Sequence, residues 1–124
     1  MKIVRRLLIT LMLAVFLLAI VSFWLVTEAA NKYPLYYNEL IVRYAEEYDL
    51  DPFLIAAVIK VESNYNPEVT SHMNAHGLMQ ILPETGRWVA NRWGEDFHED
   101  RIMEPDYNIK IGTYYLSYLM DYFG

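Results

Sequence analysis

Residues 51–67 read DPFLIAAVIKVESNYNP, and the fold turns on how this stretch is read. Asp51-Pro52 is a helix start, with an N-cap acid followed by a proline at the first helical position. Phe53 to Val61 is apolar nearly all round, which predicts a central, buried helix. That helix runs directly into Glu62-Ser63, and Asn64-Tyr65-Asn66-Pro67 breaks it. A carboxylate at the end of a buried helix is the oddity of the sequence. Burying it unpaired is costly, and burial favours the protonated form that a general acid needs. A glutamate that simply reaches water at a helix end is the plainer alternative, and position alone favours it.

Upstream, Leu40, Ile41, Tyr44, Ala45 and Tyr48 recur at helical spacing, with Glu39, Arg43, Glu46 and Glu47 facing away. Asp49-Leu50 ends that helix. Downstream, residues 68–77 read as a loop, with Ser71, Asn74 and Gly77 as turn formers. Leu78 to Leu82 is a short apolar piece, long enough for one helical turn. Pro83-Glu84-Thr85 restarts a helix carrying Trp88, Val89 and Trp93, and Gly94 stops it. Glu95 to Asp100 is an acidic loop. Pro105-Asp106 opens a last helix in which Ile109, Gly112, Tyr115, Leu116 and Leu119 share a face. No useful strand pattern and no internal repeat occurs, so the domain reads as all-α.

At the amino end, Lys2, Arg5 and Arg6 precede a charge-free run, Leu7 to Val26, of LLITLMLAVFLLAIVSFWLV. Twenty helical residues span about 30 Å, the hydrocarbon thickness of a bilayer. Trp24 suits the interface, and the basic flank places the amino end in the cytoplasm by the positive-inside rule. A cleaved signal peptide is the rival, but the run is long for one and Thr27-Glu28-Ala29-Ala30 matches a cleavage site weakly. The expected organisation is a basic end at 1–6, a transmembrane anchor at 7–26, a tether at 27–36 and an extracytoplasmic domain at 37–124. The whole chain of 124 residues carries a net charge of −6 and no cysteine. Without residues 1–26, 7 basic side chains face 16 acidic ones, a net of −9. Such a domain is ill suited to nucleic acid. The missing cysteines exclude a disulfide framework and a thiolate metal site.

Two blocks then take the reading further. Glu62-Ser63-Asn64-Tyr65-Asn66-Pro67, Ser71, Ala75 and Gly77-Leu78-Met79-Gln80-Ile81-Leu82-Pro83 form the first. Pro105, Asn108-Ile109, Gly112 and Tyr115-Leu116 form the second. In that order they resemble the soluble-lytic-transglycosylase-type (SLT) domain of peptidoglycan-cleaving enzymes, over about residues 37–123. The resemblance implies a lysozyme-like α-helical fold with a sugar-binding cleft, acting on peptidoglycan glycan strands in cell-wall remodelling. It implies that Glu62 is the single catalytic acid/base. Glu62 would protonate the oxygen between N-acetylmuramic acid and N-acetylglucosamine, then accept a proton from the muramyl C6 hydroxyl. Closure of that oxygen on C1 gives a 1,6-anhydro end. Glycosidases ordinarily use two carboxylates, with substrate-assisted families as exceptions; no second acid lies within the matched motif.

By the same resemblance Ser63, Ser71 and Gln80 offer hydrogen bonds to glycan, and Met79 and Tyr115 offer apolar or stacking surface. For Ser71 and Gln80, loop capping weighs equally; for Tyr115, core packing weighs slightly more. Gly77 suits a backbone conformation or close approach closed to other residues. Asn108 and Gly112 read as structural. The family often has glycine where Asn74 stands, and asparagine tolerates a left-handed backbone. Its later helices and Ala-Tyr-Asn segment have no counterpart before Gly124, which implies an incomplete domain. Four helical segments would then leave part of the 53–61 helix uncovered and the acid facing water. No cofactor or metal is expected: His72 and His76 lie in a loop, and the acidic run at 95–100 lacks an EF-hand's alternation. A hydrolytic lysozyme of the same fold and a non-catalytic glycan-binding module are the competing functions.

Overall fold

The computed structural model describes residues 1–32 and 36–124, which divide into an amino-terminal unit and a domain, Tyr36–Gly124. The first unit is one helix, α1, Lys2–Lys32. Its apolar stretch, Ile3–Glu28, has a mean hydropathy of 2.7 and is long enough to cross a bilayer. The hydroxyls of Thr10 and Thr27 donate to the carbonyls of Leu7 and Trp24, one turn back. Both polar side chains are therefore satisfied within the helix, as an apolar environment requires. Residues 27–32, expected as the start of a tether, continue the helix. The tether residues 33–35 lie outside the described residues.

The domain contains four helices: α2 (Asn38–Glu47), α3 (Pro52–Ser63), α4 (Pro83–Trp93) and α5 (Pro105–Phe123), with a 3-10 turn at Glu99–Arg101. Among the described residues extended pairing is limited to two isolated bridges, Thr70 with His76 and His76 with Ile81. The local signals act as the sequence suggests. Asp51 Oδ1 accepts the Phe53 amide at 2.8 Å to start α3. Gly94, in the left-handed region at φ 73°, closes α4. Leu78 to Leu82 is not a helical turn. Gly77 to Gln80 form a hydrogen-bonded turn, and Ile81 then exchanges backbone hydrogen bonds with His76.

Helix α5 packs against α2 and α4, and α2 packs against α3. The core draws Ile41 and Tyr44 from α2, Ile55 and Ile59 from α3, Leu78 from the loop, Val89 from α4 and Ile109 and Ile111 from α5. The all-round apolar helix is the main correction. Only Ile55, Ile59 and Ser63 of α3 are fully buried, whereas Phe53 is 82% exposed and Val61 83%. The buried three recur every four residues, so they form one stripe. Packing covers that stripe, and the opposite side of α3 faces water.

Candidate active site

The site begins where α3 ends. Asn64 caps the helix in the left-handed region at φ 51°, its amide donating to Lys60 O at 3.1 Å. Tyr65 follows in the same region at φ 64°. Asparagine accepts this conformation readily; for tyrosine it is strained. Two contacts hold Tyr65 there. Its Oη donates to Ala56 O at 3.1 Å, nine residues back, and its ring packs on Tyr36 with centroids 6.1 Å apart. Burial raises the Tyr65 pKa, which keeps the hydroxyl protonated as a donor.

Glu62 projects from this helix end into water, and among the described residues no ion pair or hydrogen bond engages its carboxylate. It is the glutamate that reaches water rather than a buried acid, because the α3 face carrying it is uncovered. Its neighbour Ser63 is buried, and the Ser63 Oγ donates to Ile59 O at 3.1 Å. That hydroxyl closes the last turn of α3.

The loop after α3 is organised by its own side chains. Ser71 Oγ accepts the amides of Met73 at 3.2 Å and Ala75 at 3.1 Å. Gln80 Nε2 donates to the carbonyls of Val69 at 3.1 Å and Gly77 at 3.0 Å, tying the two sides of the loop together. His76 Nδ1 lies 3.2 Å from Thr70 Oγ1. Asn74 is left-handed at φ 63°, a conformation asparagine tolerates. Met79 is only 7% exposed, with its sulfur accepting from Thr113 Oγ1 at 3.9 Å. It is core, not surface. Tyr115 is half-buried and meets Trp88 edge-to-face at 5.8 Å.

One residue joins loop to helix. Asn108, fully buried, accepts the Met79 amide at 2.8 Å on Oδ1. Its Nδ2 donates to His76 O at 2.9 Å and Ile102 O at 2.7 Å. Gly77 sits against it at φ +75°, where a Cβ would fall 2.5 Å from Asn108 Nδ2. The close approach expected of Gly77 is thus made to a side chain. Gly112 likewise admits Met79, whose sulfur would lie 2.5 Å from an added Cβ.

The model of the transglycosylase SLT domain matches residues 39–124. The chain belongs to that family. The chain is 38% identical, over 96 residues, to a soluble lytic murein transglycosylase of Salmonella typhimurium, covering 76% of this chain and 15% of that protein. It is 42% identical over 88 residues to membrane-bound lytic murein transglycosylase C of Actinobacillus pleuropneumoniae, covering 68% of this chain and 24% of the relative. Among solved structures, the 70 kDa soluble lytic transglycosylase of Escherichia coli aligns with a TM-score of 0.71 at 34% identity. That alignment covers 77% of this chain and 16% of the other. An inactive mutant of the lytic transglycosylase Slt from Pseudomonas aeruginosa gives 0.72 at 27% identity, over 76% of this chain and 16% of its own. The all-α, lysozyme-like fold of the SLT domain is therefore established, and the chain spans 15–24% of the length of these curated relatives.

One cluster in the SLT domain has no counterpart among the residues the motifs single out. The Arg92 guanidinium lies 4.6 Å from the Trp88 ring and 4.9 Å from the Tyr118 ring, bridging α4 and α5. The four-residue spacing of Trp88 and Arg92 on one helix face was the available signal.

Proposed function

We propose that the protein is a peptidoglycan lytic transglycosylase, held in the cytoplasmic membrane by α1 with its amino end in the cytoplasm and its SLT domain outside. Glu62 is its acid/base. The observation that carries this reading is the placement of Glu62: an acid without a protein partner among the described residues, projecting from a helix end fixed by two successive left-handed residues. In the proposed reaction Glu62 donates its proton to the glycosidic oxygen, and the bond from that oxygen to muramyl C1 breaks. The sugar's acetamido group stabilises the positive charge on C1. Glu62, now a carboxylate, takes the C6 hydroxyl proton as O6 bonds to C1, which regenerates the acid without water. A glycan lying over the carboxylate excludes bulk water from both transfers.

The hydrogen-bonding groups of Ser63, Ser71 and Gln80 are engaged with backbone, and Met79 is buried. Their proposed contribution to glycan binding is therefore to shape the end of α3 and the loop that follows Glu62, while Tyr115 packs on Trp88 of α4. Glu62→Gln in the full chain tests the assignment. Release of anhydro-ended muropeptides is expected to fall about 10²–10⁴-fold, with glycan binding retained. Turnover close to wild type would move the chemistry to another carboxylate. Reducing-end products from the wild-type chain would favour the hydrolase, and binding without any cleavage the non-catalytic module.

A further inference from the structure

The chain between membrane and acid is short at every step. Helix α1 continues past Val26 to Lys32, and about 1.5 Å per residue places Lys32 about 9 Å beyond the apolar run. Four chain steps separate Lys32 from Tyr36, a reach of at most about 14 Å whatever their conformation. Tyr36 is not a loose end. Its ring packs on that of Tyr65, 6.1 Å away, and Tyr65 is held in turn by its hydrogen bond to Ala56 O. Glu62 stands three residues before Tyr65, at most about 11 Å along the chain. The entry of the tether into the domain is thus pinned to the turn that carries the acid.

We infer that the tether acts as a ruler, confining Glu62 to within about 50 Å of the bilayer at full stretch, with the side chains of Tyr36, Tyr65 and Glu62 counted, and its substrate to the glycan layer lying against the membrane. The ceiling is set by covalent reach and the Tyr36–Tyr65 contact, and holds for any orientation of the domain. The inference rests on the proposed glycan cleavage and on α1 spanning a bilayer, and adds to them a restriction on which strands are cut. Glycan held to the same membrane meets the acid at high effective concentration. Glycan farther away is out of reach.

Two measurements on the full chain in lipid vesicles test this. The protein has no cysteine, so Glu62→Cys provides a single labelling site. Energy transfer from a dye there to acceptor-labelled lipids should be strong. It should fall several-fold when a thirty-residue Gly/Ser segment, adding about 30 Å in root-mean-square length, is inserted between Lys32 and Tyr36. Equal transfer in the two forms would overturn the inference and leave the acid assignment standing. In the second measurement, wild-type chain should cut glycan anchored in its own vesicles by a terminal lipid at least about 10-fold faster than the same glycan on separate vesicles. Equal rates would remove the ruler while confirming cleavage. No cleavage of either substrate, in vesicles or in detergent, would overturn the proposed activity and the inference together.

Discussion

Asn108 carries more structure than any other single polar side chain in the domain. Its three hydrogen bonds join the 76–79 turn, Ile102 and α5 at a point closed to water. Removing the carboxamide leaves buried groups without partners, at about 1–3 kcal/mol each when unrelieved. Asn108→Ala is expected to lower stability by about 2–4 kcal/mol, read from urea unfolding. Gly77→Ala should also destabilise, by about 1–3 kcal/mol, because a methyl at φ +75° meets Asn108 from the other side. Since both changes act through one contact, the double variant should cost clearly less than the two losses added. Additivity would show the contact to be unimportant.

At the level of elements, α3 is divided along its length. Ile55 and Ile59 are fully buried, while Phe53 and Val61 are largely in water. Ile59→Ala should therefore cost about 2–5 kcal/mol, and Phe53→Ser should stay within about 0.5 kcal/mol of wild type. A large loss for Phe53→Ser would mean that this face is covered. The α2–α5 junction gives a second expectation. Tyr44 Oη donates to Asp106 Oδ1 at 2.8 Å, and burial together with that bond pushes the Tyr44 pKa up from 10.0 to about 12. Burial raises Tyr48 as well, followed by its bond to Glu47. The folded state thus holds these protons more tightly than the unfolded chain. The stability they contribute is complete below about pH 10 and is lost as pH rises toward 12. Urea midpoints should decline over that window, and Tyr44→Phe should decline less steeply. Identical slopes would contradict the assignment.

For the whole molecule, the proposed anchoring by α1 sets an expected topology. A reporter fused after Gly124 should be active only outside the cytoplasm, and the protein should remain with membranes through a high-salt wash. A soluble form starting near Ala30 would show that α1 is removed as a signal instead. The net charge of −9 beyond residue 26 works in the same direction. An acidic domain gains nothing from an anionic membrane surface, so the proposed retention would depend on α1 rather than on charge.

Sequence alone determined the four helices of the domain and their order, because their signals are local. Asp51-Pro52 starts a helix and Gly94 ends one through backbone geometry confined to a few neighbouring residues. The twenty-residue apolar run needs no partner to be read, and the two motif blocks carried the family without any contact being known. Burial was another matter. The composition of α3 is the same all round, so nothing within it indicates which side meets α2 and which faces water. The roles of polar side chains were equally hidden. Ser63, Ser71 and Gln80 have the chemistry to bind a sugar, yet their hydrogen bonds go to backbone groups 2–11 residues away. Asn108 reads as one asparagine near a helix start until the fold brings the 76–79 turn, 29–32 residues distant, against it. A side chain able to serve glycan or backbone takes whichever partner the packed chain places within about 3 Å, and only the tertiary structure makes that placement.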